Sequence, residues 1–102
     1  MRVLVAGSAP LRHDAREFLQ DAAARMRTIT LRESGCISYR FGFALDEPDD
    51  LILVEEWRDE ESLAAHLASA HFATFSDVLR SALGGPASFT QYNIASASPL
   101  FG

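Results

Sequence analysis

The side chains best suited to acid–base chemistry are concentrated in residues 51–83. Glu55 and Trp57 end an apolar run, and His66 and His71 follow on a helix-forming segment. A histidine titrates near neutral pH and can act as a general base. A carboxylate can do the same when burial raises its pKa. The types and spacing of these residues indicate a pocket in which a base removes a proton from a bound molecule.

Glu55 and Trp57 also have structural interpretations. Glu55 shares a strand face with Leu53 and Trp57, and a carboxylate on an apolar face must be paired or must function as a proton acceptor. The paired alternative is a salt bridge, for example to Arg40 across a dimer. Trp57 can anchor the core, or it can form a wall against a flat aromatic molecule.

The two histidines can share a cavity only if their helix is broken. His66 and His71 lie about 140° apart on a straight helix, but a bend near Ser69 could bring them together. Otherwise they are helix residues bonded by their neighbours. Two histidines with no nearby cysteine or third histidine do not indicate a metal site. We therefore expect no metal and no other cofactor.

Charge and composition exclude several classes of partner. The 102 residues include 14 acidic and nine basic ones, all arginine, for a formal net charge of −5. The arginines are scattered, so neither nucleic acid nor an anionic membrane surface is expected to bind. No apolar run has the length of a membrane span, and the single cysteine, Cys36, cannot form an intramolecular disulfide. We expect a cytoplasmic protein that binds a small molecule or a second copy of itself.

Hydrophobic periodicity predicts the order strand, helix, strand, strand, helix, strand in one domain, residues 1–95, followed by a tail, residues 96–102. The predicted strands are residues 2–8, 36–45, 51–57 and 87–95. The second strand is expected to turn Ile37, Tyr39, Phe41 and Phe43 to one face.

The ends of the helices carry recognisable signals. Asp14 is the expected N-cap of the first helix, and Gly35 is expected to supply a positive φ at its exit. Asp59 is the expected N-cap of the second helix, and Ser69 is expected to restart that helix after a kink.

This element order favours an α+β fold, a ferredoxin-like βαββαβ arrangement with a four-stranded antiparallel sheet and both helices on one face. The other face of the sheet would be bare and apolar, which a small domain cannot leave in water. We expect a homodimer that forms through the sheet faces and closes an α+β barrel.

Three segments carry a family resemblance. They are E-S-G-C-I-S-Y from Glu33, V-E-E-W-R-D from Val54, and L-A-A-H-L-A-S-A-H-F-A-T-F from Leu63. In this order they resemble the antibiotic biosynthesis monooxygenase family. The resemblance implies a dimeric α+β barrel with a pocket between each sheet and its helices. Characterised members of the family include cofactor-independent oxygenases of quinols and polyketide anthrones.

The resemblance implies a cofactor-independent monooxygenase that uses O2 on a small aromatic quinol or polyketide-like substrate. The candidate catalytic residues are His66, His71 and Glu55. The candidate substrate-binding residues are Trp57, Tyr39, Phe72, Phe75 and Asn93. The alternative is a non-catalytic dimeric ligand-binding or stress-related domain that uses the same pocket. Haem chemistry is not expected, because His66 and Ser76 stand near the positions of a tryptophan and a ligand histidine in haem-degrading members.

Overall fold

The computed structural model describes residues 1–102 and contains four strands and three helices. The strands are β1 (Arg2–Pro10), β2 (Cys36–Phe43), β3 (Asp50–Trp57) and β4 (Ser88–Ile94). The helices are α1 (Arg16–Thr30), α2 (Glu60–Leu67) and α3 (Ala70–Ala82). None of the helices combines the length and the hydrophobicity that a membrane span requires.

The strands form one antiparallel sheet in the order β2-β3-β1-β4. The prediction of a ferredoxin-like α+β fold is confirmed. Glu55 on β3 lies opposite Tyr39 on β2 and opposite Val5 on β1. Val5 in turn lies opposite Gln91 on β4. Because facing residues share a side of the sheet, these four side chains form one row across it.

The helix-facing side of the sheet carries the core. Trp57, Leu19, Val3 and Tyr39 are fully buried there or against it. Strand residues alternate between faces, so Val54 on β3 points the other way and is exposed. The outer face is therefore the uncovered side of the sheet.

The start and exit of α1 differ from the sequence expectation. Ala15, not Asp14, is the N-cap, and it makes no side-chain capping bond. Asp14 instead faces Arg12 at 3.5 Å on the surface. Gly35 has no positive φ. A Cβ added to Gly35 would lie 2.0 Å from Ser62 Oγ, so glycine is required there because α2 packs directly against it.

The break between α2 and α3 follows the prediction. The Asp59 carboxylate accepts a hydrogen bond from the Ser62 backbone N–H at 2.8 Å and caps α2. The Ser69 hydroxyl accepts from the Phe72 backbone N–H at 3.2 Å and caps α3. Both expected caps are confirmed, and the second sets a new direction for the chain between His66 and His71.

The alternation predicted for β2 is wrong at its first residues. The pairing with β3 shifts by one residue between Cys36 and Ser38, as in a β-bulge. Because a bulge inserts one unpaired residue, the residues before it point to the opposite face from the one that uninterrupted alternation predicts. Ile37 is consequently exposed, whereas Cys36 packs against the core. From Tyr39 onward the predicted alternation holds.

Candidate functional site

A cavity of about 420 Å³ lies between the helix-facing side of the sheet and the helices α2 and α3. Twelve of its 16 lining residues are hydrophobic, and the other four are Glu55, Ser76, Arg80 and Gln91. A volume of this size and a mostly apolar wall with a few polar groups are typical of small-molecule sites. The cavity can therefore hold a single or fused aromatic ring system.

Glu55 is the only carboxylate that lines this cavity. It is buried, and its Oε1 accepts a hydrogen bond from Trp57 Nε1 at 2.7 Å. Burial raises the pKa of the Glu55 carboxyl, and hydrogen bonds from Trp57 and Tyr39 oppose part of that rise. No arginine pairs with it, and Arg40 lies on the outer face opposite Val54. Glu55 is thus a buried carboxylate held by donors but not neutralised by a cation of this chain.

Tyr39 keeps its proton beside this carboxylate. Burial and the neighbouring Glu55 raise the pKa of the Tyr39 hydroxyl well above its usual range. The hydroxyl therefore serves as a hydrogen-bond donor throughout the physiological pH range. Tyr39 also packs against Phe41 with ring centroids 5.3 Å apart and an edge-on geometry.

The aromatic wall continues onto the helices. Phe41 and Phe75 have ring centroids 5.2 Å apart, so the sheet and α3 meet at this pair. Phe72 lines the cavity one turn earlier on α3, and Phe89 on β4 lines it from the sheet. The Phe89 ring lies against Gly7, where any Cβ would meet the Phe89 side chain at 2.7 Å. The backbone oxygen of Ser88 would lie even closer, at 2.0 Å, so glycine is required where β4 and the Phe89 ring approach β1.

Outside the cavity, both histidines converge on a third residue, Glu33, in the turn between α1 and β2. His66 Nδ1 lies 2.7 Å and His71 Nε2 lies 2.9 Å from the same atom, Glu33 Oε2. The bend at Ser69 brings the two rings to a centroid distance of 5.6 Å. Burial lowers the pKa of His66 although Glu33 opposes that effect, so a neutral imidazole is favoured. We call these three residues the Glu33 cluster.

A layer of aromatic rings separates the Glu33 cluster from the cavity. The His66 ring is fully buried and packs against the rings of Trp57, Phe72 and Tyr39, at centroid distances of 4.8, 5.2 and 5.4 Å. Phe72 and Tyr39 also line the cavity, whereas His66 and His71 do not. The histidines lie behind the cavity wall.

The remaining candidates are divided in the same way. Tyr39, Glu55, Phe72 and Phe75 line the cavity. Trp57 is buried beside it and reaches it only through the hydrogen bond to Glu55. Asn93 lies on β4, is exposed, and accepts a hydrogen bond from Gln91 at 3.3 Å. Gln91 reaches the cavity and Asn93 does not.

Sequence reasoning did not single out Glu33 or Arg80. Arg80 is the only basic residue that lines the cavity, and it faces Asp77 at 3.3 Å on the surface of α3. Its position four residues after Ser76 on one helix was a usable signal, since residues at that spacing share a face. Glu33 gave no local signal, because its partners lie 33 and 38 residues further along the chain.

The sequence matches a known protein family over most of its length. The family model of the antibiotic biosynthesis monooxygenases matches residues 1–78. The chain belongs to this family. The resemblance carried by the segments around Gly35, Trp57 and His66 is therefore confirmed.

Individual relatives are distant in sequence and similar in fold. The probable quinol monooxygenase YgiN of Escherichia coli K12 is 26% identical over 73 residues, which cover 64% of this chain and 70% of that protein. Rv0793 from Mycobacterium tuberculosis superimposes with a TM-score of 0.88 at 27% identity, covering 97% of this chain and 100% of that chain. A conserved protein from Methanosarcina mazei Go1 gives 0.86 at 27% identity, covering 90% and 91%.

Proposed function

We propose that the protein is a cofactor-independent monooxygenase that oxidises a small aromatic quinol or polyketide-like substrate with O2. The observation that carries the proposal is Glu55, a buried carboxylate with no cationic partner in the chain, at the wall of an apolar cavity of ring size. Membership of the family and the similarity to a probable quinol monooxygenase support it.

Glu55 is the proposed general base. A carboxylate whose pKa is raised by burial is a stronger proton acceptor than an ordinary glutamate. Neither His66 nor His71 lines the cavity, so the proposal gives the base role to Glu55 rather than to a histidine. The donors Trp57 and Tyr39 fix the carboxylate and supply hydrogen bonds as its charge changes.

The reaction needs no electron donor other than the substrate. Removal of a phenolic proton gives an electron-rich quinolate, which passes electrons to O2. One oxygen atom forms a bond to a ring carbon and the other leaves as water, so that a quinol and O2 yield a hydroxyquinone and H2O. The apolar wall keeps bulk water from the reacting atoms.

The cavity also offers groups that can orient a second substrate oxygen. Arg80 and Gln91 line it together with Ser76, and they come from α3 and β4. A guanidinium stabilises a developing negative charge on oxygen, and an amide can donate to it. We propose that these residues bind the oxygen that lies away from Glu55.

The proposal is tested by O2 consumption. Protein treated with a chelator is given a panel of benzo-, naphtho- and anthra-type quinols, and O2 uptake is followed with an electrode. The expected result is uptake above the autoxidation rate, with one ¹⁸O atom from ¹⁸O2 in the product and one in water. Autoxidation rates across the whole panel, despite ligand binding, would contradict catalysis.

The absence of a lining histidine favours a second candidate, a ligand-binding domain with no reaction of its own. In that case the same quinols, or their quinone products, should bind in the cavity and quench Trp57 fluorescence, because Trp57 lies beside it. Binding without ¹⁸O incorporation identifies this function; incorporation identifies the enzyme.

We propose, further, that two copies pair through the outer faces of their sheets. The register places Leu4, Ala6, Ile52, Val54 and Tyr92 on that face. Val54, on the inner strand β3, is 41% exposed, and Tyr92, on the edge strand β4, is 52% exposed, so this face presents large apolar side chains to water. Relatives of this family share the fold, and burial of this face would remove the apolar patch from water.

The pairing is tested by light scattering after size exclusion. Wild type is expected to have the mass of a dimer, and Val54→Asp is expected to shift it to a monomer, since a charge would be buried without a partner. Ala65→Asp, on the exposed surface of α2, is the matched control and should remain dimeric. A monomeric wild type would contradict the proposal.

A further inference from the structure

The Glu33 cluster has no role in the proposed reaction, yet three separate segments of the chain contribute to it. Glu33 comes from the turn after α1, His66 from the last turn of α2 and His71 from the first turn of α3. The atoms His66 Nδ1, His71 Nε2 and a Glu33 carboxylate oxygen lie within 4.8 Å of one another. Two imidazole nitrogens and one carboxylate oxygen that lie this close together are of the types that bind transition metals.

We propose that Glu33, His66 and His71 bind a divalent transition-metal ion of the zinc class. Such an ion would join the α2–α3 break to the turn between α1 and β2. The site is separate from the cavity, and the proposal holds whether or not the cavity is catalytic.

The charge of Glu33 is not balanced by any arginine. This carboxylate is about one-fifth exposed, and the only side chains that it contacts as ion-pair partners are the two imidazoles. No arginine approaches it within salt-bridge distance, although the chain has nine. A divalent cation would supply the positive charge that this carboxylate lacks.

The two ring nitrogens of His66 have different surroundings. Nε2 is buried and has no hydrogen-bond partner, and the imidazole packs against the rings of Trp57 and Phe72 at centroid distances of 4.8 and 5.2 Å. An N–H can interact with the faces of such rings, whereas a lone pair cannot. If Nε2 carries the proton of a neutral ring, the Nδ1 lone pair faces a carboxylate oxygen at 2.7 Å, and this contact needs either a proton or a metal ion between the two atoms.

The spacing of the three ligand atoms is close to what a zinc ion requires. Zinc binds imidazole nitrogen at about 2.0–2.1 Å and carboxylate oxygen at similar distances, so tetrahedral ligands lie roughly 3.3 Å apart. The two nitrogen–oxygen distances, 2.7 and 2.9 Å, reach this value with small side-chain rotations. Imidazole favours zinc, copper and nickel over magnesium and calcium, which prefer oxygen ligands.

Access to the site is adequate for an ion and for water. His66 is fully enclosed, whereas the side chains of His71 and Glu33 are 16% and 20% exposed. Three protein ligands leave one position of a tetrahedral ion open to water, and the Ser69 hydroxyl, 3.3 Å from His71 Nε2, borders that position.

The test is binding of Co²⁺ and Zn²⁺ to wild-type protein first stripped by a chelator. We expect one equivalent of Co²⁺ with the visible bands of a tetrahedral complex, its displacement by Zn²⁺, and a higher Tm with either ion. Anomalous diffraction at the zinc edge should place one peak between the three side chains. Wild-type protein that binds no stoichiometric ion, or a zinc peak elsewhere, would overturn the proposal.

Variants assign the ligands. Glu33→Gln and His71→Asn should each weaken Co²⁺ binding by at least about tenfold, since loss of a ligand costs at least as much as loss of an outer partner. His13→Asn is the matched control, because His13 is fully exposed and bonds only Asp49. Circular dichroism verifies that each variant is folded. Equal affinity in Glu33→Gln, His71→Asn and His13→Asn would also overturn the proposal.

Discussion

The cavity and the Glu33 cluster lie on opposite sides of one aromatic layer, and the same kind of side chain has a different environment on each side. Glu55 is buried among apolar residues, accepts a hydrogen bond from Trp57, and has a raised pKa. Glu33 is partly exposed and contacts two imidazoles. The first environment is suited to taking up a proton, and the second is suited to holding a cation.

Reactive residues that are close in this sequence belong to two different sites. Glu55 and His66 are only 11 positions apart, but β3 carries Glu55 to the cavity and α2 carries His66 behind its wall. The layer between them consists of Tyr39 and Phe72, each of which faces both regions. Perturbations on one side of this layer should therefore leave the other side largely unchanged.

A substitution that fills the cavity should have the largest effect, and this effect is on the rate of O2 uptake. Ser76→Trp places an indole in the space between α3 and the sheet, so quinol-dependent O2 uptake should fall by at least about a hundredfold, because even small displacements of a substrate are costly. Co²⁺ binding at the Glu33 cluster should persist. Oxygen uptake and cobalt absorbance measured on the same sample check both statements.

The control for this substitution is Ala73→Trp, which adds the same side chain to an exposed position of α3. It should retain wild-type uptake. If Ser76→Trp also retains it, the substrate does not occupy the cavity between α3 and the sheet.

Crowding the turn beside Glu33 should have the next largest effect, this time on stability. Gly35→Ala puts a methyl group 2.0 Å from Ser62 Oγ and 2.2 Å from its Cβ. The free energy of unfolding should fall by about 1–3 kcal/mol, the usual range for overpacking. Urea denaturation measures the change.

Two variants isolate the cause of this destabilisation. Gly42→Ala adds the same methyl where nothing lies within 4 Å and should cost nothing. Gly35→Ala combined with Ser62→Gly should recover stability, because the colliding atoms are gone. If the double variant is no better than Gly35→Ala alone, the contact with Ser62 is not the reason for glycine at this position.

The smallest effect concerns the dependence of stability on pH. The folded-state pKa of Glu55 is raised above the ordinary value of 4.5, so folding favours its protonated form. The stability that this preference contributes is fully present below the pKa that Glu55 has in the unfolded chain. It is lost as pH rises through the pKa that Glu55 has in the folded protein. Relative to wild type, Glu55→Gln should therefore become more stable as pH rises from the ordinary glutamate value of 4.5 through the raised pKa of Glu55. Urea midpoints are measured for both proteins as a function of pH. If the two midpoints change with pH in parallel, the raised pKa is contradicted.

Local sequence signals were sufficient for most of the fold. Asp59 and Ser69 were predicted as caps because each is a short polar side chain that precedes an apolar period, and capping is decided within one turn. The four strands were predicted from short apolar runs, from β-branched and aromatic residues and from the turn residues that bound them, with alternation as a further signal in the second strand. Gly35 was given a positive φ, which is wrong, because the reason for glycine there is a contact with Ser62, 27 positions away.

The site was less predictable for the same physical reason. The inward orientation of Glu55, Tyr39 and Phe75 followed from periodicity, but the separation of His66 from the cavity depends on Glu33, a long-range partner. The bulge between Cys36 and Ser38 turned Ile37 outward, and the neighbouring Gly35 had been interpreted only as the exit of the first helix. Contacts between distant segments determine these features, and spacing within a segment does not.

The central claim is that Glu55, on the cavity side of the layer, accepts the proton. The most direct measurement is the rate of O2 uptake with a turned-over quinol by Glu55→Gln, compared with Glu56→Gln, whose carboxylate pairs with Arg2 on the outer face. The account predicts a loss of about 10²–10⁴-fold in Glu55→Gln and a wild-type rate in Glu56→Gln. A wild-type rate in Glu55→Gln, with the loss appearing in His71→Asn instead, would contradict it.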